Sequence, residues 1–251
     1  MRTFRLMGVP IHSVSQAEAL TMAGRWLAER EGRHTIYTPN PEILWNARRD
    51  QVVRRALLAG DLLVPDGIGI VLAARLQGEK DVHRLPGIEL AEALVRQLKP
   101  KVFLLGARPG VARRAGTVME AWGAQVVGAR HGYFPDDETD QVAEEVNRAR
   151  PQLLLVALGS PRQEAFLGVM RRRLEVPLTM VVGGSFDVWA GDKKRAPRLI
   201  RRLGVEWVWR TIHEPRRLLR LAALVGFVWT MAFRRGHNGP DPAGETTDTL
   251  E

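Results

Sequence analysis

The sequence predicts an α/β protein: a mostly parallel, Rossmann-like sheet with helices on both faces, followed by a helical C-terminal appendage. Two observations lead to this prediction. Short β-branched or apolar runs alternate with segments of helical periodicity along most of the chain. After Asp187 the pattern stops and a basic, Trp-containing region begins. We therefore predict an α/β catalytic core over residues 1–191, a basic helical appendage over 192–236 and a disordered tail over 237–251, which is rich in Gly, Pro, Thr and acids.

The elements of the core follow from local composition. Strands are predicted where three to five apolar or β-branched residues come together, namely at Thr35–Tyr37, Leu62–Val64, Val102–Leu105, Ala124–Val127, Leu153–Ala157 and Thr179–Val182. Helices are predicted where apolar residues recur every three or four positions, namely at Gln16–Arg30, Pro41–Leu58, Ile68–Leu76, Ile88–Leu98, Gly110–Trp122, Glu138–Ala149 and Arg162–Leu174.

Composition and charge exclude several functional classes. The chain has no cysteine, which rules out disulfides, a thiol nucleophile and zinc sites of the Cys type. Its start lacks the apolar run of a signal peptide and no stretch is apolar enough to span a bilayer, so we expect a cytoplasmic protein. The net charge of +9 implies an anionic partner: nucleic acid, acidic lipid or a phosphorylated substrate. The basic excess is concentrated between Lys193 and Arg235, where 12 residues are Lys or Arg.

Glycine, proline and short polar residues follow five of the predicted strands. Ligands of open α/β sheets bind at the carboxyl ends of the strands, so these loops are candidates for a site, although turn formation alone would also explain their composition. The loops are 38–41, 65–67, 106–110, 159–161 and 183–187. The turn Gly106-Ala-Arg-Pro-Gly110 lets a nucleotide approach a helix N-terminus, but it is not the Gly-x-Gly-x-x-Gly of a dinucleotide site.

Asp66 is the candidate general base, because it follows an apolar strand and precedes the flexible Gly67. An aspartate at this place can equally cap the next helix. Thr38 and Asn40 end the neighbouring predicted strand and offer neutral hydrogen-bonding groups suited to a sugar. Asn40-Pro41 is also a common way to start a helix.

We expect no metal site, because the six histidines are scattered and no Asp-x-Asp is present. A departing diphosphate would then need arginines or helix N-termini. Arg210, Arg217 and Arg220 are spaced to share one helical face, which alternatively is a solvated basic surface for any polyanion. The uncharged run Leu221–Phe233, flanked by arginines, has the length of a helix that lies in a membrane interface. A buried helix at a homo-oligomer contact is the alternative.

The ordered motifs of residues 6–220 resemble the WecG/TagA/CpsF glycosyltransferase family (glycosyltransferase family twenty-six). The resemblance is carried by 38–42, 65–69, 105–106, 132–134, 158–164, 183–187, 194–197 and 206–207, with Arg162 standing where the family more often has Lys. It implies an inverting, metal-independent transfer from a UDP-sugar to a lipid-linked acceptor, typically of N-acetylmannosamine to GlcNAc-diphospho-polyprenol, at the inner face of the cell membrane.

The resemblance also implies roles for particular residues. It makes Asp66 the base, and places Thr38, Asn40, Arg84 and Gln163 at the active site. The nucleotide would be held by a further set: Gly106 and Gly159 in the loops, Tyr133 and Asp187 at the uridine, and Arg210, Arg217 and Arg220 closing over the diphosphate.

Two alternatives from other classes remain at this level. A nucleotide-dependent oxidoreductase would need a dinucleotide turn, and the chain has none of the standard form. A nucleic-acid-binding protein would explain the charge, but it would interleave aromatic residues with basic ones on an open surface. Here the C-terminal tryptophans stand beside an apolar run, which favours an anionic membrane over nucleic acid as the partner.

Overall fold

A computed structural model describes residues 1–29, 32–197, 200, 206, 208–209 and 226–230. The strands are β1 Arg2–Leu6, β2 Val9–Ser13, β3 His34–Tyr37, β4 Leu62–Leu63, β5 Lys101–Gly106, β6 Gln125–Arg130, β7 Leu153–Ala157 and β8 Leu178–Val181. The helices are α1 Gln16–Ala28, α2 Pro41–Asn46, α3 Gln51–Leu58, α4 Ile68–Leu76, α5 Gly87–Leu98, α6 Val111–Ala121, α7 Thr139–Ala149, α8 Arg162–Met170 and α9 Ser185–Trp189, with a 3₁₀ turn at Asp136–Glu138.

Six of the strands form one parallel sheet in the order β4-β3-β8-β7-β5-β6. The predicted α/β class with a mostly parallel sheet is therefore confirmed, whereas most of the predicted appendage lies outside the described residues. Parallel strands need helices on both faces, and the strands accordingly read as continuous apolar runs. All five residues of β7 are buried, as are all four of β8.

Two hydrophobic cores lie on opposite faces of this sheet. One contains buried residues from the β1–β2 hairpin and from α2, α3, α4, α7 and α8. The other contains buried residues from α1, α5, α6 and α9. The helix after β5 and the helix after β7 thus lie on opposite faces, although these two strands are neighbours.

The sequence prediction missed the antiparallel hairpin of β1 and β2. Its turn is Met7–Gly8, both with positive φ, which is the backbone geometry of a tight two-residue hairpin. His12 attaches the hairpin to the sheet, because its Nδ1 accepts a hydrogen bond of 2.8 Å from the N–H of Leu63. Burial lowers the pKa of His12, which fits a neutral ring acting as acceptor.

The helix predicted over Pro41–Leu58 is wrong as one element. It is two helices, because Asp50 has extended backbone and caps α3, accepting hydrogen bonds from the N–H groups of Val52 and Val53. A short helix that the sequence prediction did not contain, α9, follows β8 directly.

Residues 226–230 are helical and lie against the core. Phe227 is only 1% exposed and belongs to the same core as α2 and α8. Gly226 lies so close to Trp45 that a Cβ there would be 2.4 Å from the indole ring. Val228 and Trp229 face outward and are 53% and 64% exposed. In the part of the chain that the structure describes, no helix is long and apolar enough to cross a membrane.

Candidate active site

The loops after β3 and β4 lie side by side at the carboxyl edge of the sheet. The backbone N–H of Asp66 donates to the carbonyl of Pro39 at 3.1 Å, which connects the two loops directly. Asp66 is partly exposed at this edge. The N-cap position of α4 is held by Gly67 and has no side-chain hydrogen bond, so Asp66 does not occupy the capping position that was its alternative role.

Asn40 begins α2 as an N-cap. Its Oδ1 accepts a hydrogen bond of 3.0 Å from the N–H of Ile43, and Pro41 occupies the first turn. The helix-start interpretation of Asn40-Pro41 is therefore confirmed. The cap uses only the oxygen of the carboxamide, so the same side chain still has an N–H₂ donor to offer at this edge.

Thr38 and Arg84 belong to two different segments that both contact the loops at this edge of the sheet. The hydroxyl of Thr38 lies against Gly87, where a Cβ would come within 2.7 Å of its Oγ1. Arg84 precedes Leu85, whose N–H donates to the carbonyl of Pro65 at 2.9 Å. Thr38, Asn40, Asp66 and Arg84 are thus carried on segments that contact one another.

The loops after β5 and β7 diverge to opposite faces of the sheet, which creates a crevice between them. Such a topological switch point is where open α/β sheets bind ligands. Gly106 and Ala157 are paired in register here. Gly106 has a φ of +139°, and a Cβ on it would lie 2.4 Å from the carbonyl of Ala157. Only glycine fits this position, and it lets the chain enter α6 directly beneath the crevice.

Tyr133 lies beyond β6 and is 67% exposed. Arg162, in the first turn of α8, fixes its loop. The guanidinium of Arg162 donates to the carbonyls of Gly132 and Phe134, the residues on either side of Tyr133. It also stacks over the Phe134 ring at 4.7 Å from the centroid. In the sequence, Arg162 stands out only as a departure from the family pattern, and its positioning role was not predicted.

Asp187 lies opposite the Gly106–Gly110 turn. Its carboxylate is 4.0 Å from a guanidinium nitrogen of Arg108 and 3.7 Å from Nζ of Lys193. Asp192 lies beside it and binds both Arg108, at 3.0 Å, and Arg114, at 2.5 Å. The start of the predicted appendage is therefore attached to the crevice by ion pairs.

Gln163 lies in the first turn of α8, where its N–H donates to the carbonyl of Gly159 at 2.9 Å. Its carboxamide is 3% exposed and donates to Oε1 of Glu164 at 2.9 Å. Glu164 is fully buried. Burial raises the pKa of Glu164, and the nearby carboxylate of Asp50 raises it further. Burial likewise raises the pKa of Tyr37, with the Glu164 charge adding to the effect.

These groups spread along the whole edge of the sheet. Asp66 follows one outer strand, β4, and Tyr133 follows the other, β6. Five strand spacings separate these strands, which amounts to about 24 Å. Among the described residues, no group of three His, Cys, Asp or Glu side chains could hold a metal ion. Arg210, Arg217 and Arg220 lie outside the described residues, and so does the predicted tail.

Comparison with known proteins decides between the three functional classes considered from the sequence: a glycosyltransferase, an oxidoreductase and a nucleic-acid-binding protein. Residues 4–239 match the family described as the glycosyl transferase WecG/TagA/CpsF family. This chain belongs to that family. The predicted resemblance and the predicted enzyme class, a glycosyltransferase, are thereby confirmed, and the oxidoreductase and nucleic-acid-binding alternatives are set aside.

Relatives within the family include proteins of Staphylococcus aureus strains MW2, NCTC 8325 / PS 47 and COL. Each is 32% identical to this chain over 200 residues, a match that covers 78% of this chain and 79% of the relative. All three are named N-acetylglucosaminyldiphosphoundecaprenol N-acetyl-beta-D-mannosaminyltransferase.

Proposed function

We propose that this glycosyltransferase moves N-acetylmannosamine, or a closely related sugar, from a UDP-sugar to GlcNAc carried on a polyprenyl diphosphate, in the synthesis of a cell-surface polysaccharide. The names of the relatives state this sugar and this acceptor, and the relatives match this chain over most of its length. The identity of 32% leaves room for a different sugar at the same kind of site.

The observation that carries the proposal is the position of Asp66. A hydroxyl group of the acceptor is a weak nucleophile at neutral pH and needs a base during attack. Asp66 lies at a strand tip and outside the capping position of α4, and its backbone N–H binds the carbonyl of Pro39, the residue between Thr38 and Asn40. In the proposed reaction the acceptor oxygen bonds to the anomeric carbon, the bond from that carbon to the diphosphate breaks, and the proton passes to the Asp66 carboxylate. This single displacement inverts the anomeric centre.

The layout of the edge suits an extended donor. The crevice between Gly106 and Gly159 lies between the Asp66 end and the Tyr133 end, so a nucleotide sugar would place its diphosphate at the crevice and its uridine beyond it. The departing UDP needs its charge neutralised and needs no general acid. We assign this task to Arg210, Arg217 and Arg220 of the appendage, together with the N-terminus of α6. Since the chain lacks Asp-x-Asp, we propose that no metal takes part.

A polyprenol acceptor stays in the bilayer, so the enzyme must come to the membrane. We propose a peripheral position on the inner face. The outward-facing Val228 and Trp229 support this, because an apolar and amphipathic pair beside a basic segment suits an anionic interface. Phe227 would anchor the same segment to the catalytic core from the other side.

Measurement of UDP release tests the proposal. Purified protein is given a panel of UDP-sugars, with and without a short-chain GlcNAc-diphospholipid, in the presence of excess EDTA. We expect release that needs both substrates, is highest with UDP-N-acetylmannosamine and survives the chelator. Release without the acceptor, or the absence of release with every donor, would contradict the proposed transfer. Loss of release in EDTA that magnesium or manganese restores would contradict metal independence alone.

A further inference from the structure

Glu164 is an acidic residue that the proposed reaction does not use, yet it is completely buried in the first turn of α8. It lies close to Tyr37, the last residue of β3, and to Asp50 at the start of α3. A buried carboxyl group lowers folding stability, and an apolar side chain of similar size would fill the same space at lower cost. Packing alone therefore does not explain why an acidic residue occupies this buried position.

The contact between Glu164 and Gln163 provides one. Adjacent residues of a helix point about 100° apart, so their side chains do not normally meet. Here Nε2 of Gln163 donates to Oε1 of Glu164 at 2.9 Å, within the buried first turn of α8. This bond fixes which end of the carboxamide points inward, since the nitrogen faces the acid.

The oxygen of the Gln163 carboxamide therefore points away from Glu164. Oε1 of Gln163 is buried and has no hydrogen-bond partner within the described part of the chain, and the same holds for Oε2 of Glu164 and Oγ of Ser160 near it. Buried polar atoms of this kind are rare, and an active site is one of the places where they occur. The turn that carries Gln163 begins at Gly159, on the wall of the crevice between β5 and β7.

We propose that Glu164 is a positioning residue, which holds the carboxamide of Gln163 by its N–H so that its oxygen accepts a hydrogen bond from a hydroxyl or amide of the substrate sugar. This inference rests on the proposed function and on the active-site place that the family resemblance implies for Gln163. The raised pKa of Glu164 agrees with it, because a protonated acid accepts the Gln163 N–H without placing a charge beside the substrate.

A double-mutant cycle tests the coupling between the two residues. Glu164→Met should lower kcat by about tenfold, because this is the effect on rate of losing one hydrogen bond to the transition state. Gln163→Met should lower kcat at least as far, and Glu164→Met should then have no further effect in that background. Glu164→Gln keeps an acceptor oxygen and should retain most of the turnover. Leu167→Ala, one turn along the same buried face, is the control: it should lower Tm and leave kcat unchanged well below that temperature.

An additive cycle, or wild-type kcat in Glu164→Met, would overturn the proposal, and wild-type kcat in Gln163→Met would remove its premise as well. A second readout does not depend on turnover. The side-chain amide signal of Gln163, identified by its loss in Gln163→Met, should exchange slowly with solvent in the wild-type protein and in Glu164→Gln, and rapidly in Glu164→Met. An unchanged exchange rate in Glu164→Met would overturn the positioning role, whether or not the wild-type protein transfers sugar. Absence of sugar transfer by the wild-type protein would separately contradict the proposed function.

Discussion

Arg162 lies over the ring of Phe134, with its guanidinium carbon 4.7 Å from the ring centroid. Its two terminal nitrogens donate to the carbonyls of Gly132 and Phe134, so one side chain holds both ends of the segment that presents Tyr133. A planar, forked cation can make all three contacts at once, and the single ammonium of a lysine cannot.

We therefore expect Arg162→Lys to loosen the Tyr133 segment. The KM for the UDP-sugar should rise by roughly threefold to tenfold, the cost of one lost hydrogen bond, while kcat changes little. Steady-state kinetics with varied donor would measure this. Arg172→Lys, an exposed arginine beyond the end of α8, is the matched control and should leave KM unchanged. An equal fall of kcat in Arg162→Lys would mean that Arg162 acts on the reacting groups themselves.

Replacing Asp66 by asparagine removes the proposed base while keeping the size of the side chain. We expect a loss of turnover of roughly two to four orders of magnitude, with the fold and UDP binding retained. Turnover is measured with both substrates saturating, and UDP affinity by titration. Asp61→Asn is a suitable control, because Asp61 precedes β4 at the opposite edge of the sheet. Turnover near the wild-type level in Asp66→Asn would exclude this carboxylate from the mechanism.

The sequence predicted the parallel sheet well, because six apolar runs, five of them followed by Gly, Pro or short polar residues, leave few other arrangements. It also placed Thr38 and Asp66 after neighbouring strands, and the ends of parallel strands lie at the same edge of the sheet. The hairpin was missed although Phe4 and Leu6 alternate with exposed residues and Gly8 follows, so its signal was present. The prediction had no means of finding a buried Glu164. Charged residues are expected at the surface, and only the packing of α3 against α8 places this one inside.

Burial of Glu164 also has a consequence for stability as a function of pH. Its pKa is raised in the folded protein above the ordinary 4.5, so the folded state binds a proton that the unfolded state loses. Its contribution to stability is therefore fully present below about pH 4.5 and is lost as the pH rises through the raised pKa. Glu164→Gln cannot lose a proton. We therefore compare the free energy of unfolding of Glu164→Gln with that of the wild-type protein. The difference, variant minus wild type, should be constant in acid, grow as the pH rises, and then level off.

Denaturant unfolding of the two proteins across this pH range would measure the difference. Asp50 and Tyr37 are the titratable groups that face Glu164, and the carboxylate of Asp50 is one cause of the raised pKa of Glu164. Asp50→Asn in both backgrounds removes that carboxylate and keeps a residue that can cap α3. A difference that does not change with pH would show that Glu164 is not protonated preferentially in the folded protein.

The last prediction separates membrane docking from catalysis in the appendage. Phe227 belongs to the core, so removal of the whole segment would open the core as well as the docking surface. Substitutions of the outward-facing Val228 and Trp229 avoid this. The double variant Val228→Glu, Trp229→Glu should bind vesicles of phosphatidylcholine and phosphatidylglycerol about tenfold or more weakly, because apolar burial at the interface is lost and like charge is added. Its turnover of a short-chain, water-soluble acceptor should stay near the wild-type level.

Two further variants make the result specific to this surface. Val169→Glu changes a residue of α8 that is as exposed as Trp229, at 64%, and should leave vesicle binding unaltered. Arg217→Ala should behave in the reciprocal way, with low turnover on the soluble acceptor and vesicle binding mostly intact, because we assign this arginine to the diphosphate. The docking surface would have to lie elsewhere if the double variant bound vesicles as the wild-type protein does. If Arg217→Ala lost vesicle binding and kept its turnover, the basic segment would serve the membrane alone.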